Sequence, residues 1–402
     1  MAINLLLVFG GRSVEHEVSV ISALQAANSL NKEKYNIFPL YIAKDGTTYT
    51  GDALMNIENF KNMNTLISQC REATLMKNGR DVELVAFKRK GQKLKTVLKQ
   101  VINVALPIVH GTFCEDGTAA GWFELLGLPY VGCDVVSAAN GMNKLYFKNI
   151  CAANGIPVLE CMTFTSRQWV NERDEVISEI EKIGYPVIVK PIDLGSSVGI
   201  SKISSADELD EKISLAASFC ERMLIERAVT DMREINCSVC GDIYDCETSV
   251  LEEPIMHDEV LSYNDKYMSS GSSKGMSGLS RKIPAELSDE KRDEICALAK
   301  KTFVALGCSG ISRIDFIMDN ADNQHVYVNE INTIPGSLAF YLWENAGVKY
   351  ARLIDKMVEC ARRAHEDKNL RNYAFTSNIL SSVSLGGVKG AKGTKGAKGG
   401  KL

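Results

Sequence analysis

Three polar side chains stand where a buried strand ends. In "HVYVNEINTIPGSLAFYLWENAG", residues 325–347, the apolar run Val326-Tyr327-Val328 reads as a core strand. It closes on Asn329-Glu330-Ile331-Asn332 before a Pro-Gly turn. Residues two apart on a strand share a face, so Glu330 and Asn332 point the same way. Asp315, in "RIDFIMD", belongs to what reads as a neighbouring strand. Oxygens converging from two strands suit Mg²⁺, a hard cation that often shares its ligands with phosphates. The same trio also fits a solvated strand end, and spacing alone does not separate the two.

A second group lies in "YPVIVKPIDLGSSVGISKI". Lys190 ends an apolar strand, and Gly195-Ser196-Ser197-Val198-Gly199 follow. Amides with small side chains can wrap phosphate oxygens, and a lysine can supply a point charge. The spacing is not that of a P-loop, and a plain hairpin turn fits the stretch as well. A third group is "VFGGRSVEHEVSVIS", in which Gly10-Gly11, Ser13 and Glu15 lead into a helix. Glu15 or Glu17 there would complement the helix dipole, or Glu15 would hold a substrate ammonium. His110, in "IVHGTFCEDG", ends a buried strand, where α/β sheets place ligands and where structural histidines also occur.

These groups need elements to hold them. Residues 4–11, 35–44 and 101–111 read as strands, the last as one continuous apolar strand. Helical stretches at 15–30 and 117–127 alternate with them, the pattern of a parallel sheet covered by helices. Residues 137–155 read as one helix leading into a second region. There 185–191 and 199–203 form a hairpin, 206–219 a helix and 222–227 a strand. From about Glu234 a third region has strands at 234–241, 311–319 and 325–332. Its helix at 288–307 has Ser288 as N-cap, and Ile295, Leu298, Ala299, Thr302, Phe303 and Leu306 at helical spacing. Residues 262–282 are polar and Gly/Ser-rich, which suits a mobile lid.

Composition bounds the rest. The chain has 402 residues, 45% hydrophobic and 24% charged, with a formal net charge of −4. The last sixteen residues repeat Gly-x-Lys and hold five lysines; the remainder carries 41 basic against 50 acidic residues. An acidic body gives no case for nucleic-acid binding, and the repeat reads as a disordered tail. Twelve scattered cysteines read as reduced, mostly buried thiols. No segment has transmembrane length, so a cytoplasmic location is expected.

Taken together and in order, "FGGRSVEHEVS", "HGTFCEDGTAAGWFELLGLPYVGC", "MNKLYFK", "VIVKPIDLGSSVGISK", "LIER", "YNDKY", "KIPA", "LGCSGISRIDF" and "NEINTIPG" resemble the D-alanine–D-alanine ligases of the ATP-grasp superfamily. The likeness spans residues 3–365 and includes ligases that join D-alanine to D-serine. Ligases that make D-alanyl-D-lactate fit less well at the lid. The resemblance implies an α/β (α+β) fold of three domains, with an N-terminal parallel-sheet domain at 1–138. Two ATP-grasp subdomains follow at 139–228 and 229–368, with the lid at 262–282 and a basic tail at 369–402. It implies ATP and two Mg²⁺ ions (or Mn²⁺), a D-alanyl phosphate intermediate, a homodimer, and no nucleic-acid or membrane partner.

Carried over by position, Glu15 would hold the ammonium of the first D-alanine and be linked to Ser196 and Tyr267. His110 would lie near that substrate's carboxylate. Lys144 and Lys190 would contact ATP phosphates, and Ser197 and Lys266 the transferring phosphate. Glu226 and Glu234 would take adenine and ribose. Asp315, Glu330 and Asn332 would bind the metal ions, and Arg313 would stabilise an oxyanion.

The likeness breaks after Pro335-Gly336. Where the family has a Ser-Leu pair that holds the second substrate's carboxylate, this chain has Tyr341-Leu342. The lid is also longer, with extra glycines. Three readings follow: a D-alanine–D-alanine ligase with a repacked acceptor pocket, a D-alanine ligase using D-serine or another amino acid, and a non-catalytic ATP-binding regulatory protein. Lys266-Tyr267 favours an amino-acid acceptor over a hydroxy acid. The metal trio and Arg313 count against the third reading.

Overall fold

The computed structural model describes residues 2–91, 93–255 and 281–371. Lys266, Tyr267, nearly all of the 262–282 loop and the Gly-x-Lys tail lie outside the described residues. Met1–His365 forms one compact unit. Glu366–Leu402 is a second, described only at the end of a helix that closes at Asn369.

The first sheet holds β1 (Ile3–Gly10), β2 (Tyr35–Ile42), β3 (Thr48–Thr50), β4 (Arg71–Asn78), β5 (Asp81–Lys90), β6 (Lys93–Ile102) and β7 (Val104–Val109), in the order β6-β5-β4-β3-β2-β1-β7. β1 runs parallel to β2 and β7. The other pairings are antiparallel, so the expected parallel sheet is the central part of a mixed one. The extension comes from a stretch without a continuous apolar run. β5 buries Val82, Leu84 and Ala86, while β6 exposes its first seven residues. A lysine-bearing edge strand carries a weak hydrophobic signal. The single strand expected at 101–111 is two, because Asn103 turns the chain and its side-chain oxygen takes the Asn4 N–H at 2.9 Å.

Alternating residues of β1 feed two cores, as the strand period requires. Leu5, Leu7 and Phe9 pack with Val20, Ala23, Leu24 and Ala27 of α1 (His16–Ser29). α2 (Met63–Gln69) follows near the same side, with Leu66 in that core. Leu6 and Val8 pack on the other face with Ala119 and Phe123 of α3 (Thr118–Leu126).

The helix expected at 137–155 is broken into α4 (Val135–Met142) and α5 (Lys144–Ala153). Asn143 leaves the helical region at ψ 106 and caps α5 by accepting the Tyr146 N–H. The expected hairpin is present. β8 (Cys161–Thr165), β9 (Val187–Pro191), β10 (Ser201–Ile203) and β11 (Arg222–Arg227) form a sheet of order β10-β9-β11-β8. α6 (Ser166–Asn171), α7 (Arg173–Ile183) and α8 (Leu209–Ala217) supply Trp169, Val176, Ile180, Leu209 and Ile213 to its core.

The third sheet runs β14-β13-β12-β15-β16. Its strands are β12 (Met232–Gly241), β13 (Cys246–Pro254), β14 (Arg281–Lys282), β15 (Gly310–Asp319) and β16 (His325–Asn332). α9 (Asp289–Ala305) starts at the expected cap, where Ser288 accepts the Lys291 N–H, and buries Ile295, Ala299, Thr302 and Phe303. Cys237 and Cys240, three apart on β12, enter two different cores, and all twelve cysteines are free. α10 (Phe340–Asn345) and α11 (Tyr350–Asn369) complete the described chain. Leu353, Ile354, Met357 and Val358 of α11 pack into the same core as Leu5 and Phe9.

The turn from β1 to α1 depends on Gly10. Its φ is +93, and a Cβ there would lie 2.2 Å from the Ile42 carbonyl oxygen. Gly10→Ala is expected to cost at least ~2 kcal/mol. Urea unfolding measures this, and an unchanged midpoint would show that the turn can yield.

Candidate active site

The antiparallel register explains why polar residues end a core strand. Asp315 lies opposite Glu330 and Arg313 opposite Asn332. The register shifts between Asp315 and Phe316, so Asn329 is left without a partner in the ladder. That bulge turns Asn329 toward the second sheet, where its Oδ1 accepts from Lys190 Nζ at 3.1 Å. Arg313 donates to both Asp315 oxygens, from Nε at 2.6 Å and Nη2 at 2.7 Å. Asn332 Nδ2 donates to Asp315 Oδ2 at 3.0 Å. Burial opposes the charge on Arg313, but Asp315 holds its pKa well above the usual value.

These residues fit a metal site of a particular kind. No group of three His, Cys, Asp or Glu is gathered among the described residues. Two carboxylates and an amide oxygen fall short of a full cage for a hard cation. They suit an ion that takes its other ligands from phosphates and water.

Cations face this strand end from β9 of the second sheet and from α5. Lys144 opens α5 and donates to the Leu194 carbonyl at 2.5 Å, while its own N–H goes to the Ile192 carbonyl at 2.8 Å. Lys190 pairs with Glu226 Oε1, and Lys148 lies 2.7 Å from Glu226 Oε2. Burial alone would raise the Glu226 pKa, but the two lysines hold it down at about 2. Burial lowers the pKa of Lys144, and Lys190 adds to that by repulsion. Ser196 and Ser197 both sit in the left-handed region, at φ 56 and 58, a strained arrangement for residues with a side chain.

Ser196 Oγ donates to Glu15 Oε1, which joins the glycine-serine loop to the first sheet. Glu15 is the N-cap of α1 but makes no side-chain capping bond. Glu17 is the first-turn acid and pairs with Lys44 at 2.5 Å. A Cβ at Gly111 would come within 2.8 Å of Glu15 Oε2.

The stretch after β16 is bound to the first sheet at several points. His110 Nδ1 donates to the Ile334 carbonyl at 2.8 Å, and its Nε2 is 3.3 Å from Ser22 Oγ. Burial pushes the imidazole pKa down, although Glu15 and the carbonyl act the other way. The Ile334 N–H donates to Glu115 at 2.8 Å, and the Ser337 N–H to Ser22 Oγ at 2.9 Å. Burial, reinforced by Glu15, pushes the Glu115 carboxyl up to about 8. Ser337, Leu338 and Ala339 then take three successive left-handed conformations, at φ 51, 53 and 48.

Tyr341 follows on α10. Its hydroxyl donates to Glu252 Oε1 at 2.8 Å, and the Arg281 guanidinium lies over its ring at 4.8 Å. Arg281 also pairs with Glu252 at 3.1 Å, and Asn236 Nδ2 donates to Glu252 at 3.2 Å. Burial and then Glu252 push the phenol pKa up. Leu342 is fully buried, and Trp343 Nε1 donates to Ser238 Oγ at 2.9 Å. Glu234 stands apart on β12, lining a cleft with Arg233, Glu253 and Lys282.

The structure therefore brings Glu15, Ser196, His110, Lys144, Lys190, Glu226, Arg313, Asp315 and Asn332 into linked groups. Sequence reading missed Lys148, Glu115 and Glu252. Lys148 carried a signal, being one turn beyond Lys144. Glu115 stands beside Asp116 and Glu252 beside Glu253, so nothing in the sequence singles them out, and only pairing across elements reveals them.

The family models "D-ala D-ala ligase N-terminus" and "D-ala D-ala ligase C-terminus" match residues 4–133 and 150–359. A D-alanine–D-alanine ligase of Thermosipho africanus is 36% identical over 94% of this chain and 98% of its own length. Among solved structures, the D-alanine-D-alanine ligase from Coxiella burnetii superposes with a TM-score of 0.76 at 27% identity, covering 92% of this chain and 96% of that one. The VanG D-Ala:D-Ser ligase from Enterococcus faecalis gives 0.73 at 26%, covering 90% and 100%.

Glu115 makes stability depend on pH. Its unfolded carboxyl ionises near 4.5 and the folded one near 8, so the folded state binds the extra proton between them. Its contribution is complete below about pH 4.5 and is lost as pH rises toward about 8. Melting temperature is expected to fall across that window and to flatten in Glu115→Gln. An equal slope in both proteins would show that Glu115 ionises normally.

Proposed function

The chain belongs to the D-alanine–D-alanine ligase family of ATP-dependent, ADP-forming enzymes, and we propose that it joins D-alanine to a second D-amino acid, D-alanine foremost, for peptidoglycan precursors. The observation that carries this reading is the meeting of a buried lysine cluster with the Arg313–Asp315–Glu330–Asn332 face at one strand end. Cations and oxygen ligands side by side suit a metal-bound nucleotide triphosphate.

In this reading the γ-phosphoryl group of ATP is taken by the carboxylate of the first D-alanine, and ADP leaves. The amine of the second substrate then attacks the acyl carbon of that acyl phosphate, phosphate departs, and the amine loses a proton. Glu15, oriented by Ser196, holds the first ammonium. His110, kept neutral by burial, lies near the first carboxylate. Lys144 and Lys190 meet the phosphates and Ser197 the transferring group. Glu226 and Glu234 serve adenine and ribose, and Arg313 meets the developing oxyanion. Asp315, Glu330 and Asn332 would hold two Mg²⁺ ions (or Mn²⁺), which when bound neutralise the phosphoryl oxygens. Lys266 and Tyr267 keep the roles the resemblance implies, in the segment outside the described residues.

A second acceptor reading has its own support. Tyr341 stands in place of the family's serine, its hydroxyl is engaged by Glu252, and the chain is similar to a D-Ala:D-Ser ligase. We further propose that the three sheets mark domains at 1–138, 139–228 and 229–368, ahead of a tail at 369–402, in a cytoplasmic homodimer. Twelve free thiols suit a reducing compartment.

Phosphate release from ATP with Mg²⁺ and D-alanine, with mass analysis of the product, tests the activity. D-alanyl-D-alanine as main product supports the first reading, and a mixed dipeptide under competition with D-serine supports the second. No turnover with any D-amino acid would overturn both. Glu330→Ala is expected to lower Mg²⁺-dependent turnover about a thousandfold; normal turnover would refute the metal assignment. Tyr341→Ser is expected to change the acceptor KM more than the ATP KM. Equal changes would remove Tyr341 from the acceptor subsite.

A further inference from the structure

Lys148 has no role in the chemistry described above, yet it is among the least exposed charges in the molecule. It lies one turn beyond Lys144 on the same face of α5. Its Nζ is 2.7 Å from Glu226 Oε2 and donates to the Leu159 carbonyl at 3.3 Å. The other oxygen of Glu226 holds Lys190, whose Nζ continues to Asn329 beside the proposed metal ligands. Lys144, Lys148, Lys190 and Glu226 are 8%, 3%, 7% and 1% exposed.

A carboxylate gripped at only one oxygen could rotate and carry Lys190 with it, whereas gripping both oxygens from two elements fixes its plane.

We propose that Lys148 is a positioning residue of the nucleotide site, clamping Glu226 so that Lys190 stays aimed at the phosphates. This rests on reading the cleft as the ATP site.

The test is calorimetric titration of the full-length protein with Mg²⁺-ATP, without amino acids, alongside steady-state kinetics. Lys148→Met is expected to weaken ATP binding and raise the ATP KM about tenfold to a hundredfold, the range of one charge-assisted contact. kcat at saturating ATP should stay within about threefold. Lys148→Arg should recover most of the affinity. Lys148→Gln, which keeps a donor for Leu159 and Glu226, tests the charge should the methionine variant not fold, and should also lose about tenfold. In a Glu226→Gln background, Lys148→Met should add less than about twofold, because the lysine acts through that carboxylate. Wild-type affinity in both Lys148→Met and Lys148→Gln, or losses from Lys148→Met and Glu226→Gln that simply multiply, would overturn the proposal. Wild-type protein that binds no ATP would overturn the nucleotide reading and this inference with it.

Discussion

Charge taken out of water must be matched by charge, and the cleft of this protein is organised around that requirement. Breaking a buried pair by removing one partner costs about 3–5 kcal/mol, so each charged residue commits others to fixed places. A polar row crosses four strands of the third sheet: Glu252, Asn236, Asp315 and Glu330 are successive cross-strand neighbours. Arg281 answers Glu252, Arg313 answers Asp315, and Lys190 reaches in from the second sheet to Asn329. Such a row would be ruinous in an apolar core. It stands because each carboxylate whose contacts are described meets a cation or an amide.

The same requirement ties the first sheet to the third. Ile334 is held at both backbone groups, its N–H by Glu115 and its carbonyl by His110. Ser22 takes the Ser337 N–H, and Gln25 accepts from Ser337 Oγ at 2.6 Å. These bonds hold a stretch whose backbone is strained, three successive left-handed residues without a glycine among them. Strain of this kind persists only where surrounding contacts over-determine the backbone, and it gathers at sites with work to do. Ser196 and Ser197 repeat the pattern on the opposite wall, secured through Glu15.

Much of this was legible one residue at a time. The 3.6-residue spacing and Ser288 cap defined α9. The apolar run with Asn329, Glu330 and Asn332 at its end marked β16, and the Gly-Ser stretch lay between paired strands as expected. Two misreadings share a cause. At Asn103 and Asn143, apolar or helical patterns run on while an asparagine side chain bonds a backbone N–H and redirects the chain. Over 71–102, charged half-buried strands resemble solvated surface until they are paired.

Residue type and order determined the elements with a regular apolar period, the family, and which side chains carry charge that could act on a phosphoryl group. These follow from local spacing, because strand and helix periods act over a few residues. Tertiary structure alone decided which partners these charges meet. Glu226 joins Lys148 and Lys190, Glu252 takes Tyr341, and Glu15 meets Ser196, 181 residues away in the chain. Electrostatic pairing depends on distance in space and on exclusion of water, and neither is written in the spacing of residues along the chain.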